Sequence, residues 1–393
     1  MNNDFFPWHI GSLPFIVKPQ PKPTNSGDIP DLLPFTLDID EKTGTLIQFK
    51  NAYIAEILSK AYKAGSEISG MMDDHGIGEL YAQDFLKFLN NSFKTNDFTN
   101  FKILEIGCGT GYLLYQLKVK GAEVIGIEPG IQGQKGAEKF GIPIIQDFFP
   151  SPKISGKFDI IILYAILEHV IDPVQFLKEV VKHLNYNGKL VIAVPNDEPY
   201  IKSGDLSFLF HEHWSYFTSD TLKQSIAQSN QFLVEIKESK FGGIIYAVAS
   251  STSSKIELDA NQLHYQIELA QQFKILAQKK IEKIACILET AARNHFTVGI
   301  YVPGRAINIL SLLISTINLP RLRFFDDNPI LYQMYYPGIN IPVEQRKDLL
   351  KNPPDVLIIF THSFGKKIKN EIAGSLKDTQ ILLWEDIFMN TKK

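Results

Sequence analysis

Apolar runs broken at regular intervals by glycine, proline or an acid dominate residues 101–250. Ile103–Ile106, Ala122–Ile127, Ile142–Ile145, Phe158–Leu163 and Leu190–Val194 have strand length, and they are too continuously apolar to face water on one side. That pattern predicts buried parallel strands. Between them, Tyr112–Lys118 and Val174–Leu184 repeat apolar residues every three or four positions, which predicts covering helices. A helix over Ser219–Ser229, with Ser219 or Asp220 as its cap, precedes two further strands, Gln231–Glu238 and Ile244–Ser250. Joined around Gly242-Gly243, these two predict an antiparallel hairpin closing the sheet.

The flanks carry different patterns. Residues 1–37 are punctuated by Pro14, Pro19, Pro21, Pro23, Pro30 and Pro34, so an extended arm is expected, with Phe5, Phe6, Trp8, Phe15 and Phe35 packed rather than free. From Ile47 to Leu89 the spacing turns helical, interrupted by a glycine-containing loop over Gly65–Gly78. Tyr62, Ser66, Met71 and Met72 are candidate pocket residues there. After the polar stretch Ser250–Ser254, one long helical pattern runs through Ile256–Asn294. Strands Thr297–Val302, Leu322–Phe325, Val356–Phe360 and Gln380–Trp384 then alternate with helices Ala306–Ile317 and Phe364–Ala373. The expected fold is α/β: a doubly wound, Rossmann-like seven-stranded sheet plus a second, smaller C-terminal Rossmann-like domain. The expected boundaries are an arm and helical cap over 1–95, the large sheet over 96–250, and the long helix with the C-terminal domain over 251–393.

The turn Glu105-Ile106-Gly107-Cys108-Gly109-Thr110-Gly111 ends the first of these strands. Its glycines let a ligand lie against bare backbone at a helix N-terminus. The dinucleotide fingerprint wants its third small residue where this chain has Tyr112. A carboxylate at Glu105 repels a pyrophosphate and favours a cationic ligand such as S-adenosylmethionine, with Cys108 filling space in the turn. Glu128, about 20 residues past the first glycine, is placed to accept the ribose hydroxyls, beside Pro129. Asp147 is placed to accept from the adenine amine and Phe148 to cover the ring. Tyr164, Ala165 and His169 follow the fourth strand and complete the expected cofactor set. Glu168 and His169 suit helix-start packing, Asp172-Pro173 a helix entry, and Asn196 either a turn or an acceptor contact.

Composition narrows the field. A formal charge of -3 over 393 residues lacks the basic footprint of a nucleic-acid binder. Two cysteines, Cys108 and Cys286, build neither a disulfide framework nor a zinc ribbon. No charged-then-apolar leader and no run of bilayer length are visible, so a soluble cytoplasmic protein is expected. The oligomeric state is not legible.

Phe210-His211-Glu212-His213-Trp214-Ser215-Tyr216-Phe217 follows the fifth strand, at the rim where a transferred methyl group would emerge. Two histidines flanking a glutamate supply a titratable base and an orienting acid. In extended chain His211 and His213 would share a face and could bind a metal, but no other His/Cys spacing supports one, so none is expected.

The motifs LEIGCGTG, Glu128, QDFF and ILEHVIDP over about Phe101–Ser250 resemble class I S-adenosylmethionine-dependent methyltransferases. HEHWSYF, with DDNP and YYPGINIPV near the C-terminus, resembles the sugar C-methyltransferase family in particular. The resemblance implies a nucleotide-linked 4-keto deoxysugar or similar small metabolite as acceptor. It also implies His213 as the base that takes the proton next to the ketone, with Glu212 assisting; His211 is the third catalytic candidate of the segment. This chain has no cysteine before Cys108, where the family carries a zinc module, and has Phe210 where it has tyrosine. O- or N-methylation of a natural product, a binding protein on a vestigial fold, and a nicotinamide oxidoreductase are the alternatives.

Overall fold

The computed structural model describes residues 5–15, 18–22, 30–63, 72, 74, 76–252, 260–361 and 364–389. Ser66, Met71, the side chain of Tyr62 and part of the expected Ser250–Ser254 linker lie outside them. The chain divides into two compact units, one of residues 1–37, 200–211 and 269–393, the other of residues 38–199 and 212–268.

The first unit opens with β1 (Trp8–Pro14) and β2 (Leu32–Ile39), an antiparallel pair whose register shifts between His9 and Gly11. The prolines that predicted extended backbone are thus compatible with an edge hairpin. Phe6, Trp8, Phe15 and Phe35 are all buried.

The second unit holds the large sheet. β3 (Leu46–Gln48) comes first and corrects the expectation of helix from Ile47; the helix begins at Ala52. β4 (Lys102–Ile106), β5 (Glu123–Ile127), β6 (Ile144–Ile145), β7 (Phe158–Tyr164) and β8 (Leu184–Pro195) follow. β9 (Ser215–Tyr216) turns back to pair with β3, and β10 (Phe232–Glu238) and β11 (Ile244–Ser250) complete the sheet. The seven strands run in the order β10-β11-β8-β7-β4-β5-β6. Only β11 opposes the rest, wedged antiparallel between β8 and β10.

Alternation explains why both faces are apolar. Ile103, Ile160, Ile162, Val191 and Val248 enter one core, while Leu104, Ile161, Leu163, Leu190 and Ile192 enter the other. Three local expectations shift. β8 starts at Leu184, so the preceding helix is shorter than expected, Pro173–Val180. β6 loses Ile142, which is buried in the core that Gly111 abuts. The helix at Ser219–Gln228 is capped by Thr218, not Ser219 or Asp220: its hydroxyl takes the Thr221 N–H and Thr221 reciprocates.

In the first unit β12 (Thr297–Tyr301), β13 (Arg321–Phe325), β14 (Val343–Glu344), β15 (Val356–Ile359) and β16 (Gln380–Leu383) form an all-parallel sheet. Its order is β14-β13-β12-β15-β16. The two-residue β14 was too short to read in the sequence. Ala260–Arg293 is one helix of 34 residues. Among the described residues no helix is long and apolar enough to cross a membrane.

Candidate functional site

A cleft of about 500 Å³ opens at the carboxyl ends of β4, β5 and β7. The parallel strands all point their ends this way, which is where doubly wound sheets leave a crevice. Gly107, Glu128, Pro129, Asp147, Phe148 and His169 line it, all expected from the sequence. Ile166, Val170 and Phe176 add an apolar wall, Phe176 from the helix Pro173–Val180. Ile166 and Val170 stand inside the ILEHVIDP motif but were not singled out as cleft residues, and Phe176 carries no motif of its own; the fold brings the three together.

The glycine turn is shaped by close approach. Gly107, Gly109 and Gly111 all have positive φ, where a side chain is strained. A Cβ on Gly107 would strike Ile166, whereas one on Gly109 would meet nothing within 4 Å. The backbone beside Gly109 is therefore bare. The helix Tyr112–Val119 that follows has no side-chain cap on its N-terminus.

Glu128 caps β5 with its carboxylate anchored from three sides. Oε1 accepts from Gly130 N (2.8 Å) and Gln132 Nε2 (3.0 Å), and Oε2 from Gly109 N (3.1 Å). Burial raises its pKa, against the two backbone donors. A carboxylate has about four acceptor positions, so one on Oε2 stays open. Asp147 accepts from Phe148 N and Ser151 Oγ and pairs with Lys153, contacts that hold it below the usual carboxylate range, Ser151 most. Phe148 is 43% exposed at the cleft, a free aromatic face.

Among the described residues, Glu105, Cys108, Gly109, Gly111, Tyr112, Tyr164 and Ala165 do not line this cleft. Cys108 packs into the space over Gly126, Tyr112 leans on Phe140, and Tyr164 meets Phe85 edge-on in the core. Ala165 holds a positive φ of 53° as the chain leaves β7. Glu105 is buried on β4, with no hydrogen-bond partner for Oε2 among the described residues. Burial, then Glu128, pushes its carboxyl well above the usual range.

Beside the cleft stands a cluster of ionisable groups. His169 Nδ1 lies 3.0 Å from the Glu212 carbonyl, and its Nε2 lies 3.8 Å from Glu168 Oε1. The rings of His169 and His213 meet edge-on at 4.9 Å. Burial takes His169 down to about 4, and burial with His169 beside it takes His213 well below the usual imidazole value. Burial raises Glu168 and Glu212 to about 8, and Asp197 well above its usual range, the last helped by Glu168. At neutral pH the cluster therefore holds neutral imidazoles, able to accept a proton, next to carboxyls that can donate a hydrogen bond.

His211 does not join them. The chain turns at His211-Glu212 instead of running extended, so the two histidines do not share a face. His211 is fully buried, its Nε2 3.2 Å from the Leu13 carbonyl and its ring against Phe15 and Phe35. It packs against residues of the hairpin, whereas the sequence reading expected it in catalysis. Asn196 takes a turn role, bonding Glu238 and the Glu198 N–H.

Residues 74–235 match the family model described as a methyltransferase domain. That segment is similar to methyltransferase domains. It contains the glycine turn, Glu128, the cleft and the histidine cluster. A ubiquinone biosynthesis O-methyltransferase of Bradyrhizobium diazoefficiens is 32% identical over 116 residues, 28% of this chain and 46% of that protein. A tRNA U34 carboxymethyltransferase of Campylobacter jejuni is 28% identical over 165 residues, 39% of this chain and 55% of that protein. The chain thus spans about half the length of the curated relatives it matches. A Burkholderia thailandensis 1,6-didemethyltoxoflavin-N1-methyltransferase, solved with S-adenosylhomocysteine, covers 53% of this chain and 96% of its own at 13% identity and a TM-score of 0.39.

The residues of this segment fit S-adenosylmethionine. The open position on Glu128 Oε2 suits a ribose hydroxyl, Phe148 a planar base, and the bare backbone at Gly109 a close-lying chain. The buried Glu105 Oε2, without a hydrogen-bond partner among the described residues, would face a nearby cation once its carboxyl ionises.

Proposed function

We propose that this protein transfers the methyl group of S-adenosylmethionine to a carbon acid, with a nucleotide-linked 4-keto deoxysugar or related keto metabolite as acceptor. The observation that carries it is His169: it lines the donor cleft and is bonded to the backbone of Glu212, inside the HEH segment. A carbon nucleophile needs a neutral base beside the donor, and His213 is a neutral imidazole against His169.

When bound, S-adenosylmethionine supplies an electrophilic methyl on a sulfonium. Glu128 and Phe148 hold its nucleoside end, and the apolar wall of Ile166, Val170 and Phe176 keeps water out. His213 takes the acceptor's proton, and the protonated carboxyls of Glu168 and Glu212 hydrogen-bond the developing enolate. Orientation provides much of the rate.

The test is a screen of keto-sugar nucleotides by mass spectrometry for one added methylene, with calorimetry of donor binding beside it. S-adenosylmethionine should bind and NAD should not. The O-methyltransferase relative favours a hydroxyl acceptor as the second reading. Exchange of an acceptor C–H with solvent deuterium in the presence of S-adenosylhomocysteine supports carbon; its absence supports oxygen.

A further inference from the structure

Glu168, His169 and His213 each turn one ligand atom into a common space, and the three atoms lie within 4.8 Å of one another. The donor set is two imidazole nitrogens and one carboxylate oxygen, which suits a divalent first-row cation such as Zn2+. Bonds of about 2.0–2.1 Å in a tetrahedral site need ligand atoms roughly 3.3 Å apart, and His169 Nε2 and Glu168 Oε1 are already at 3.8 Å.

Two further features belong to a built site. The bond between His169 Nδ1 and the Glu212 carbonyl fixes the tautomer, so Nε2 presents its lone pair toward Glu168. Glu168 is 1% exposed, and its Oε2 has no hydrogen-bond partner among the described residues. A buried carboxylate oxygen left without a partner is costly, and a cation would satisfy it.

We propose that Glu168, His169 and His213 bind one divalent transition-metal ion of the Zn2+ class, and that the bound ion silences His213 as a base. The silencing rests on the methyl-transfer function above. A coordinated imidazole nitrogen has no lone pair left to accept a proton, and the cation stands at the cleft wall that His169 forms. The cluster is thus a brake on turnover set by free metal. It uses no cysteine and lies far along the chain from any N-terminal zinc module.

The experiment uses the full chain, freed of metal by chelator dialysis, with Co2+ as the spectroscopic probe. The d–d bands of a four-coordinate site should appear with one equivalent and be displaced by Zn2+. Glu168→Gln and His169→Asn, checked for folding by circular dichroism, should each weaken Co2+ binding by at least about tenfold. Zn2+ should suppress turnover, and a chelator should restore it. A spectrum that never saturates at one equivalent, or is unchanged in both variants, overturns the site. A rise in turnover on adding Zn2+ overturns the silencing. The Co2+ spectrum needs neither donor nor acceptor, so its outcome is independent of the methyl-transfer function. Turnover lost in His213→Ala without any Co2+ spectrum would remove this site alone.

Discussion

His169 Nδ1 sits 3.0 Å from the backbone carbonyl of Glu212, joining the turn after β7 to a segment 43 residues further on. The reverse link, from Trp214 N to the Glu168 carbonyl at 2.7 Å, makes the junction two-stranded. Two hydrogen bonds therefore tie the wall of the cleft to Glu212 and Trp214. His169→Phe removes the tie and lets His213 drift. Turnover should fall roughly 10²-fold, the cost of a misplacement of about 1 Å, while donor affinity drops far less. Single-turnover kinetics with calorimetry separates the two.

His213→Ala removes the imidazole proposed as the proton acceptor. Turnover should fall by about 10² to 10⁴, with donor affinity nearly unchanged. Intact turnover in that variant would reject His213 as the base.

Glu128→Gln keeps the shape but replaces one acceptor oxygen with a donor facing backbone N–H groups. Donor dissociation constants should rise roughly 10- to 100-fold, the loss expected for a charge-assisted hydrogen bond. Phe148→Ala should cost about fivefold or more if the ring covers the base, on the scale of aromatic–base stacking. Equal affinity in both variants would move the nucleoside elsewhere.

Gly107 and Gly109 give a contrast within one turn. Gly107→Ala drives a methyl into Ile166 as well as straining a positive φ, so stability should fall by about 2–4 kcal/mol. Gly109→Ala has room, so only the backbone strain of about 1–2 kcal/mol applies. Its methyl then stands in the open space, and donor affinity should suffer more than folding. Thermal melts and calorimetry on the two variants check the contrast.

His211 predicts acid sensitivity. Its folded pKa is depressed to about 4 by burial, below the ordinary value of 6.5, so the unfolded chain binds more protons between these values. The stability it contributes is present above about pH 6.5 and is lost as pH falls toward 4, up to about 3 kcal/mol. Glu168 and Glu212, raised to about 8, have the opposite slope, present at low pH and lost as pH rises. Denaturant melts of the wild type minus His211→Asn isolate the histidine; a flat difference would refute it.

The sheet was legible because its signals are local: each strand is an apolar run, and each break carries a glycine or an acid. Glu128, Asp147 and Phe148 were legible for the same reason, sitting one to three residues past a strand. What depended on distant residues was not. Glu168 read as packing, and only the fold sets it beside His213. His211 read as catalytic together with its chain neighbours Glu212 and His213; the turn at His211-Glu212 instead packs it against Phe15 and Phe35. β3 and β9 are too short to outweigh the helical spacing around Ile47. Thr218 took the cap because its box partner is Thr221, a hydroxyl where Glu or Gln usually marks the motif.

Glu105 carries a last consequence. Its carboxyl is buried next to Glu128 and stays protonated in the absence of a positive neighbour. A sulfonium or ammonium settling nearby makes the ionised form the cheaper one, so loading the donor should expel a proton into solution. Binding heats would then depend on the ionisation enthalpy of the buffer, and the donor would be held more tightly as the medium becomes more alkaline.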